Sequence, residues 1–91
     1  MNYLEQVVKL LQGDLPDCPV ELLRIYAVLA LAIGERTTNE HVHAAWSAWK
    51  TATRPDHPSL IPYGQLSVDK RVVDTSYRNA IRRVSRQLVR L

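Results

Sequence analysis

The sequence predicts an all-α fold: a compact four-helix bundle with an ordered proline-rich loop between the third and fourth helices. Apolar residues recur at helical spacing in four segments, and glycine or proline residues separate most of these segments. No segment shows the alternating apolar pattern of a strand. A chain of 91 residues with a hydrophobic content of 46% suits one globular domain. We therefore expect residues 1–91 to form a single four-helix domain.

The first 36 residues predict a helical pair with an apolar central helix. Helix 1 is expected from Tyr3 to Gln12, with Asn2 as its N-cap and Gly13 as its stop. Helix 2 is expected from about Pro19 to Ile33, ending at Gly34. Apolar residues surround almost the whole circumference of helix 2, which is typical of a helix buried on all sides. The buried stripe of helix 1 is predicted to be Leu4, Val7, Val8 and Leu11.

A third helix and a proline-rich loop follow. Thr37 with Glu40 predicts a capping box, and the helix is expected to cover about Thr38 to Ala52. Three prolines then restrict the backbone of the residues that precede them. We expect the loop to be ordered because several of its apolar side chains require burial. The predicted inward stripe of helix 3 is Val42, Ala45, Trp46 and Trp49, and the predicted loop anchors are Leu60, Ile61, Tyr63 and Leu66.

The fourth helix is expected to begin after Ser67, a favourable N-cap residue, and to run to about Arg90. Its apolar stripe is predicted to be Val73, Tyr77, Ala80, Ile81, Val84 and Leu88. Arginines occupy the other faces, at Arg78, Arg82, Arg83, Arg86 and Arg90.

Charge is divided unevenly along the chain, although the net charge is only +3. Residues 1–45 hold three basic and six acidic side chains, whereas residues 46–91 hold nine basic and three acidic ones. The basic face of helix 4 would attract nucleic acid or an acidic protein. The competing interpretation is a solvated face whose cations also suit the C-terminal end of the helix dipole.

Catalytic and metal chemistry find little support in the residue pattern. His41 and His43 are two residues apart and therefore point to opposite sides of a helix, so they do not form a metal-ligand pair. Cys18 lies beside a helix start, where a thiol pKa can be lowered, but a small apolar residue in a turn explains it as well. We predict a protein that is not an enzyme and has no metal site and no cofactor.

The cellular setting predicted from the sequence is the cytoplasm. A lone cysteine suits a reducing compartment, and the first residues lack the basic segment of a signal peptide. The longest apolar run, from Ile25 to Ile33, is shorter than a membrane-spanning helix. The expected partners are therefore not membranes, and the pattern leaves the oligomeric state open.

A binding site is predicted where helix 3 meets the proline-rich loop. Trp46 and Trp49 lie one helical turn apart, so one ring can pack in the core or form a flat wall for a ligand. Nearby cations would suit phosphate groups. The predicted binding residues are Trp46, Trp49, Lys50, Arg54, His57 and Tyr63.

The second half of the chain resembles the ryanodine receptor repeat (RyR) domain. The resemblance spans roughly Val42 to Leu88, about half of the chain, and makes residues 37–91 the RyR-like part. Receptor repeats carry a Gly-Trp-x-Tyr-Gly stretch after the Trp helix, whereas only residues 50–56 fill that place here. The matching residues are His43, Trp46, His57, Pro58, Leu60, Pro62, Tyr63, Leu66, Lys70 and Asp74.

The resemblance implies a small helical recognition module rather than an enzyme. Prokaryotic members of the family are linked to the sensing of nucleotide-derived ligands in defence and phage–host conflict. We therefore expect the chain to bind a protein partner or a nucleotide-derived anionic ligand. The alternative is a small nucleic-acid-binding protein that uses the basic face of helix 4.

Overall fold

The computed structural model describes residues 2–89, which contain four helices and two short 3-10 turns joined by loops. The 3-10 turns cover Gly34–Arg36 and Tyr63–Gln65, and residues 2–89 contain no strand. The predicted all-α four-helix bundle is thereby confirmed. The helices are α1 (Tyr3–Asp14), α2 (Val20–Ala32), α3 (Asn39–Thr53) and α4 (Val68–Val89).

Helix α2 packs against all three of the other helices, as expected of a central helix. The prediction that it is buried on every side is wrong, however. Val20, Val28 and Leu31 form an exposed stripe, and Val28 retains 52% of its accessible surface. The three neighbours cover only part of its circumference, and apolar composition alone does not indicate which part. The largest apolar side chains that are fully buried are Val7, Leu11, Leu23, Tyr26, Val42, Ile81 and Val84.

Two helix ends differ from the predicted ones. Helix α1 continues through Gly13 to Asp14. The amide of its C-cap residue, Leu15, donates a hydrogen bond to the Leu11 carbonyl. Gly13 is therefore not its stop, because a glycine inside a helix costs only about 1 kcal/mol. The predicted capping box at the start of α3 is shifted by one residue. Thr38, not Thr37, is the N-cap, and its partner is His41 rather than Glu40.

Thr37 is completely buried instead and holds the turn before α3 in place. Its hydroxyl donates a 2.7 Å hydrogen bond to the carbonyl of Gly34. Gly34 directly follows the C-cap of α2, where the helix was predicted to end. Gly34 has a φ of 70°, a conformation that favours glycine. A Cβ at this position would lie 3.0 Å from the Oγ of Ser85 in α4, so glycine also permits close helix packing.

Two apolar side chains of the second half are more exposed than predicted. Val73 retains 59% of its accessible surface and is not part of the buried stripe of α4. In the loop, Leu66 is buried but Ile61 is exposed, so the loop is anchored by fewer apolar side chains than expected. Ser67 precedes α4 as predicted, and its Oγ accepts a 3.4 Å hydrogen bond from the Lys70 amide.

Candidate functional site

A cleft of about 630 Å³ lies between the α1–α2 connector, the tryptophan face of α3 and the first half of α4. Its volume falls within the range of small-ligand sites. The connector that forms one wall is ordered by the Cys18 amide, which donates to the Leu15 carbonyl. The residues that line the cleft are Asp14, Leu15, Pro16, Asp17, Cys18, Pro19, Leu22, Tyr26, His43, Trp46, Trp49, Ser59, Leu66, Lys70, Val73, Asp74, Ser76 and Tyr77.

Aromatic rings form much of the cleft surface. Tyr26 and Tyr77 lie with their ring centroids 5.7 Å apart, which brings together α2 and α4. Trp46 stacks near His43 at 5.8 Å, and the Lys50 ammonium lies 5.0 Å from the ring centre of Trp49. Two tryptophans and two tyrosines from three helices therefore give the cleft flat walls that can contact planar or cationic groups.

The carboxylate of Asp74 is the most distinctive polar group in the cleft. Burial raises the pKa of Asp74, an effect that nearby His43 partly offsets. Among residues 2–89, Asp74 takes part in no ion pair and no side-chain hydrogen bond. Lys70 lies one helical turn before it, but its Nζ donates to the Oγ of Ser59 at 3.1 Å. The cleft thus presents an acidic group that lacks a protein partner.

The other ionisable groups along the cleft add negative charge and a thiol. Asp14 and Asp17 lie in the connector wall, and Asp14 forms an ion pair with Arg83 at 3.2 Å. Burial raises the pKa of the Cys18 thiol, which opposes formation of a thiolate. Burial also raises the pKa of Tyr26, and the charges of Cys18 and Asp74 act in the same direction. The hydroxyl of Tyr26 therefore remains protonated.

His43 connects the cleft to the proline-rich loop. Its ring is buried, and its Nε2 lies 2.7 Å from the carbonyl oxygen of Ile61. A carbonyl only accepts hydrogen bonds, so Nε2 carries the proton and donates it. This hydrogen bond joins α3 to a loop that comes 18 residues later. His43 was not among the binding residues predicted from the sequence.

His57, which was predicted to bind ligand, orders the loop from within. Its Nδ1 accepts a 3.0 Å hydrogen bond from the Ser59 amide, and its ring packs edge-on against Trp46 at 5.1 Å. Partial desolvation lowers the pKa of His57, and the nearby cations Arg54, Lys50 and Lys70 lower it further, while Asp56 acts in the opposite direction. Both effects favour the neutral ring that the hydrogen bond requires.

The structure divides the predicted binding residues into two groups. Trp46 and Trp49 line the cleft, whereas Lys50, Arg54, His57 and Tyr63 do not. The Tyr63 hydroxyl lies 3.5 Å from the carbonyl oxygen of Arg71, and its ring faces His43. These four residues form the loop side of the junction, next to the cleft rather than inside it.

The predicted basic face on α4 lies against the acidic first half of the chain. The Nε of Arg82 donates a 2.8 Å hydrogen bond to the Thr37 carbonyl. Arg83 pairs with Asp14, and Arg86 pairs with Glu35 in the 3-10 turn after α2. The uneven charge of the two halves therefore corresponds in part to contacts between them. Arg78 contacts the neighbouring Asn79 side chain, and Arg90 lies outside the described residues.

Most of the cleft was not predicted from the sequence. Tyr77 was expected in the buried stripe of helix 4, and Tyr26 lies in a helix that was expected to be buried on all sides. One signal was available: Lys70 and Asp74 are four residues apart, so they share one face of a helix. Within residues 2–89, no group of three metal-ligating side chains comes together. None of the helices in that range has the length and apolar character needed to cross a membrane.

Comparison with known proteins identifies a family for this fold. A family model described as a domain of unknown function, DUF7701, matches residues 2–86. No curated protein and no solved structure matches the chain. The matched segment includes all of the cleft residues and nearly the whole chain. The chain belongs to the DUF7701 family.

Proposed function

We propose that this chain is a small, non-enzymatic, RyR-like recognition module that binds a protein partner through the aromatic cleft. The observation that carries the proposal is the cleft itself, which joins four aromatic side chains to a carboxylate that has no side-chain partner among residues 2–89. Binding sites typically combine apolar walls with a few placed polar groups. Five of the ten residues that carry the RyR resemblance also line the cleft, namely His43, Trp46, Leu66, Lys70 and Asp74.

The ionisable groups favour recognition over catalysis. Cys18 is the only cysteine, and burial raises the pKa of its thiol, so it is a poor nucleophile at neutral pH. The Nε2 proton of His43 is engaged by the Ile61 carbonyl. Neither side chain has the arrangement of nucleophile and base that covalent catalysis requires.

A nucleotide-derived anion is the second candidate, and the loop cations favour it. Lys50, Arg54 and Lys70 lie close enough to lower the pKa of His57. A base between the tryptophans with phosphates on these cations would use both regions. The cleft lining opposes this ligand, because it contains Asp14, Asp17 and Asp74 but only one cation. We therefore place the protein partner first.

The test is affinity capture from the native cytosol with three immobilised forms of the chain. The wild type is compared with Trp49→Ala, which removes a cleft wall, and with Tyr3→Ala, a control whose ring is 72% exposed on α1. Circular dichroism first establishes that each form is folded. We expect a protein that the wild type and Tyr3→Ala retain and that Trp49→Ala loses. Equal capture by all three forms, or retention of nucleotides alone, would reject the proposal.

A further inference from the structure

The environment of Asp74 indicates what kind of chemical group the cleft accepts. Asp74 is half-buried. A carboxylate that loses part of its contact with water loses solvation, and a charged or hydrogen-bonding partner can compensate for that loss. Within residues 2–89 no side chain supplies this partner to Asp74. The aromatic rings of Trp46, Trp49 and Tyr77 share the same cleft. A ligand that offers N–H donors and positive charge would complement both features.

One cation on the same helix could compete for Asp74, but it is held elsewhere. Lys70 is four residues before Asp74, a spacing at which opposite charges on a helix can pair. Its ammonium instead donates to Ser59 in the proline-rich loop. That loop is fastened by the hydrogen bond from His43 to Ile61, so the position of Ser59 is set by the fold. In this arrangement the Lys70 ammonium contacts Ser59, and no side chain of residues 2–89 pairs with Asp74.

We propose that the cleft binds a guanidinium group, supplied by an arginine side chain of the partner, with Asp74 as its carboxylate acceptor. This assignment rests on the proposed function, because it names the part of the protein partner that enters the cleft. The guanidinium would donate hydrogen bonds to the two carboxylate oxygens of Asp74. Its flat faces would stack on the aromatic walls of the cleft.

Three physical properties favour arginine over other cations and over anions. A guanidinium forms paired hydrogen bonds with a carboxylate, whereas an ammonium acts as a point charge. It also stacks on aromatic rings, and it is more weakly hydrated than an ammonium, so its desolvation costs less. The charges that line the cleft also favour a cation, because the lining includes the carboxylates of Asp17 and Asp74 and the single cation Lys70. An anion would meet repulsion at both carboxylates.

Intrinsic fluorescence reports directly on this site, because the chain has two tryptophans and both line the cleft. The probe is N-acetylarginine amide, with N-acetylcitrulline amide as its neutral counterpart of similar shape and N-acetyllysine amide as its ammonium counterpart. We expect saturable fluorescence change with the arginine compound at millimolar concentration, roughly the affinity that so small a ligand can reach. The citrulline and lysine compounds should bind at least about tenfold more weakly. Equal binding of all three would overturn the assignment.

Two charge variants determine the sign of the preferred ligand. Asp74→Asn should weaken binding of the arginine compound about tenfold or more, because it removes the charge and one acceptor oxygen. Lys70→Ala should strengthen binding about two- to fivefold, because it removes a like charge from the lining. The control is Asp69→Asn, which removes a carboxylate on the same helix that does not line the cleft. It should leave binding unchanged.

The opposite pattern identifies an anion site. If adenosine monophosphate binds more tightly to Asp74→Asn and more weakly to Lys70→Ala, the cleft is a nucleotide site and the assignment fails. Melting curves for every variant separate loss of binding from loss of folding. The outcome is also distinct from that of the capture experiment. Arginine binding without a captured protein would reject only the proposed function, and capture that depends on Trp49 without arginine binding would reject only this inference.

Discussion

The imidazole of His43 and the backbone carbonyl of Ile61 are joined by a hydrogen bond of 2.7 Å between helix α3 and the proline-rich loop. His43 is buried, so its donor has little access to water. The contact explains how a loop with few fully buried side chains remains packed against the bundle. The same loop contributes Ser59 to the cleft lining, where Ser59 accepts a hydrogen bond from the Lys70 ammonium.

Removal of the His43 donor should loosen the loop. We expect His43→Leu to lower the free energy of unfolding by about 1–3 kcal/mol, since the Ile61 carbonyl loses its partner. His43→Gln should lose less, because its amide nitrogen can occupy nearly the position of Nε2. Denaturant unfolding measures the energy, and amide hydrogen exchange across residues 58–66 reports the loop. Exchange that is unchanged in His43→Leu would contradict this role.

The two apolar anchors of the loop should differ in energetic importance. Leu66 is 6% exposed, whereas Ile61 is 38% exposed. Leu66→Ala should therefore cost about 2–4 kcal/mol through lost burial and a residual cavity. Ile61→Ala removes a side chain of similar size and should cost less than about 1 kcal/mol. Urea unfolding of the two variants tests the difference, and equal losses would show that the loop is not anchored at Leu66.

The arginines of α4 should divide by their partners rather than by their position along the basic face. Arg82 donates to the carbonyl of the buried residue Thr37, so Arg82→Ala should cost about 1.5–3 kcal/mol. Arg83 forms a solvent-exposed pair with Asp14, and Arg83→Ala should cost less than about 1 kcal/mol. High salt should reduce the loss of stability caused by Arg83→Ala, but not the loss caused by Arg82→Ala. A larger loss for Arg83 than for Arg82 would contradict this division.

Stability should depend on pH through Asp74. Burial raises the pKa of Asp74, so the folded chain binds this proton more tightly than the unfolded chain. The free energy of unfolding therefore falls as pH rises from the ordinary aspartate pKa through the raised value in the folded chain. Asp74→Asn has no carboxylate to ionise, so it avoids this loss of stability. The melting temperature of Asp74→Asn relative to the wild type should therefore increase across this pH interval and stay constant above it.

The measurement is a series of thermal melts between about pH 4 and about pH 7. Asp69→Asn serves as the control, because Asp69 is an exposed carboxylate in the first turn of α4, where negative charge favours the helix. The stability of Asp69→Asn relative to the wild type should therefore not increase as pH rises. A difference between Asp74→Asn and the wild type that does not change with pH would contradict the prediction.

Local patterns in the sequence were sufficient to predict the four helices and their order. Helix periodicity, capping residues and proline positions act within a few residues, so α2 ends before Gly34 and α4 follows Ser67 as expected. Errors of one or two residues occurred where two local signals compete. Thr37 and Thr38 are equally good caps by type, and only the burial of Thr37 decides between them.

The cleft and the partners of the charged groups were decided by tertiary structure. Periodicity shows that a helix has an apolar face, but it does not show which neighbour covers that face. Periodicity therefore could not predict that α2 is exposed at Val28, or that Trp46 and Tyr77 are only partly buried. Arg82 and Thr37 are 45 residues apart, and Asp74 lines the same cleft as a connector that precedes α2. Such contacts depend on how the helices pack, because the residues that form them have no local relationship in the chain.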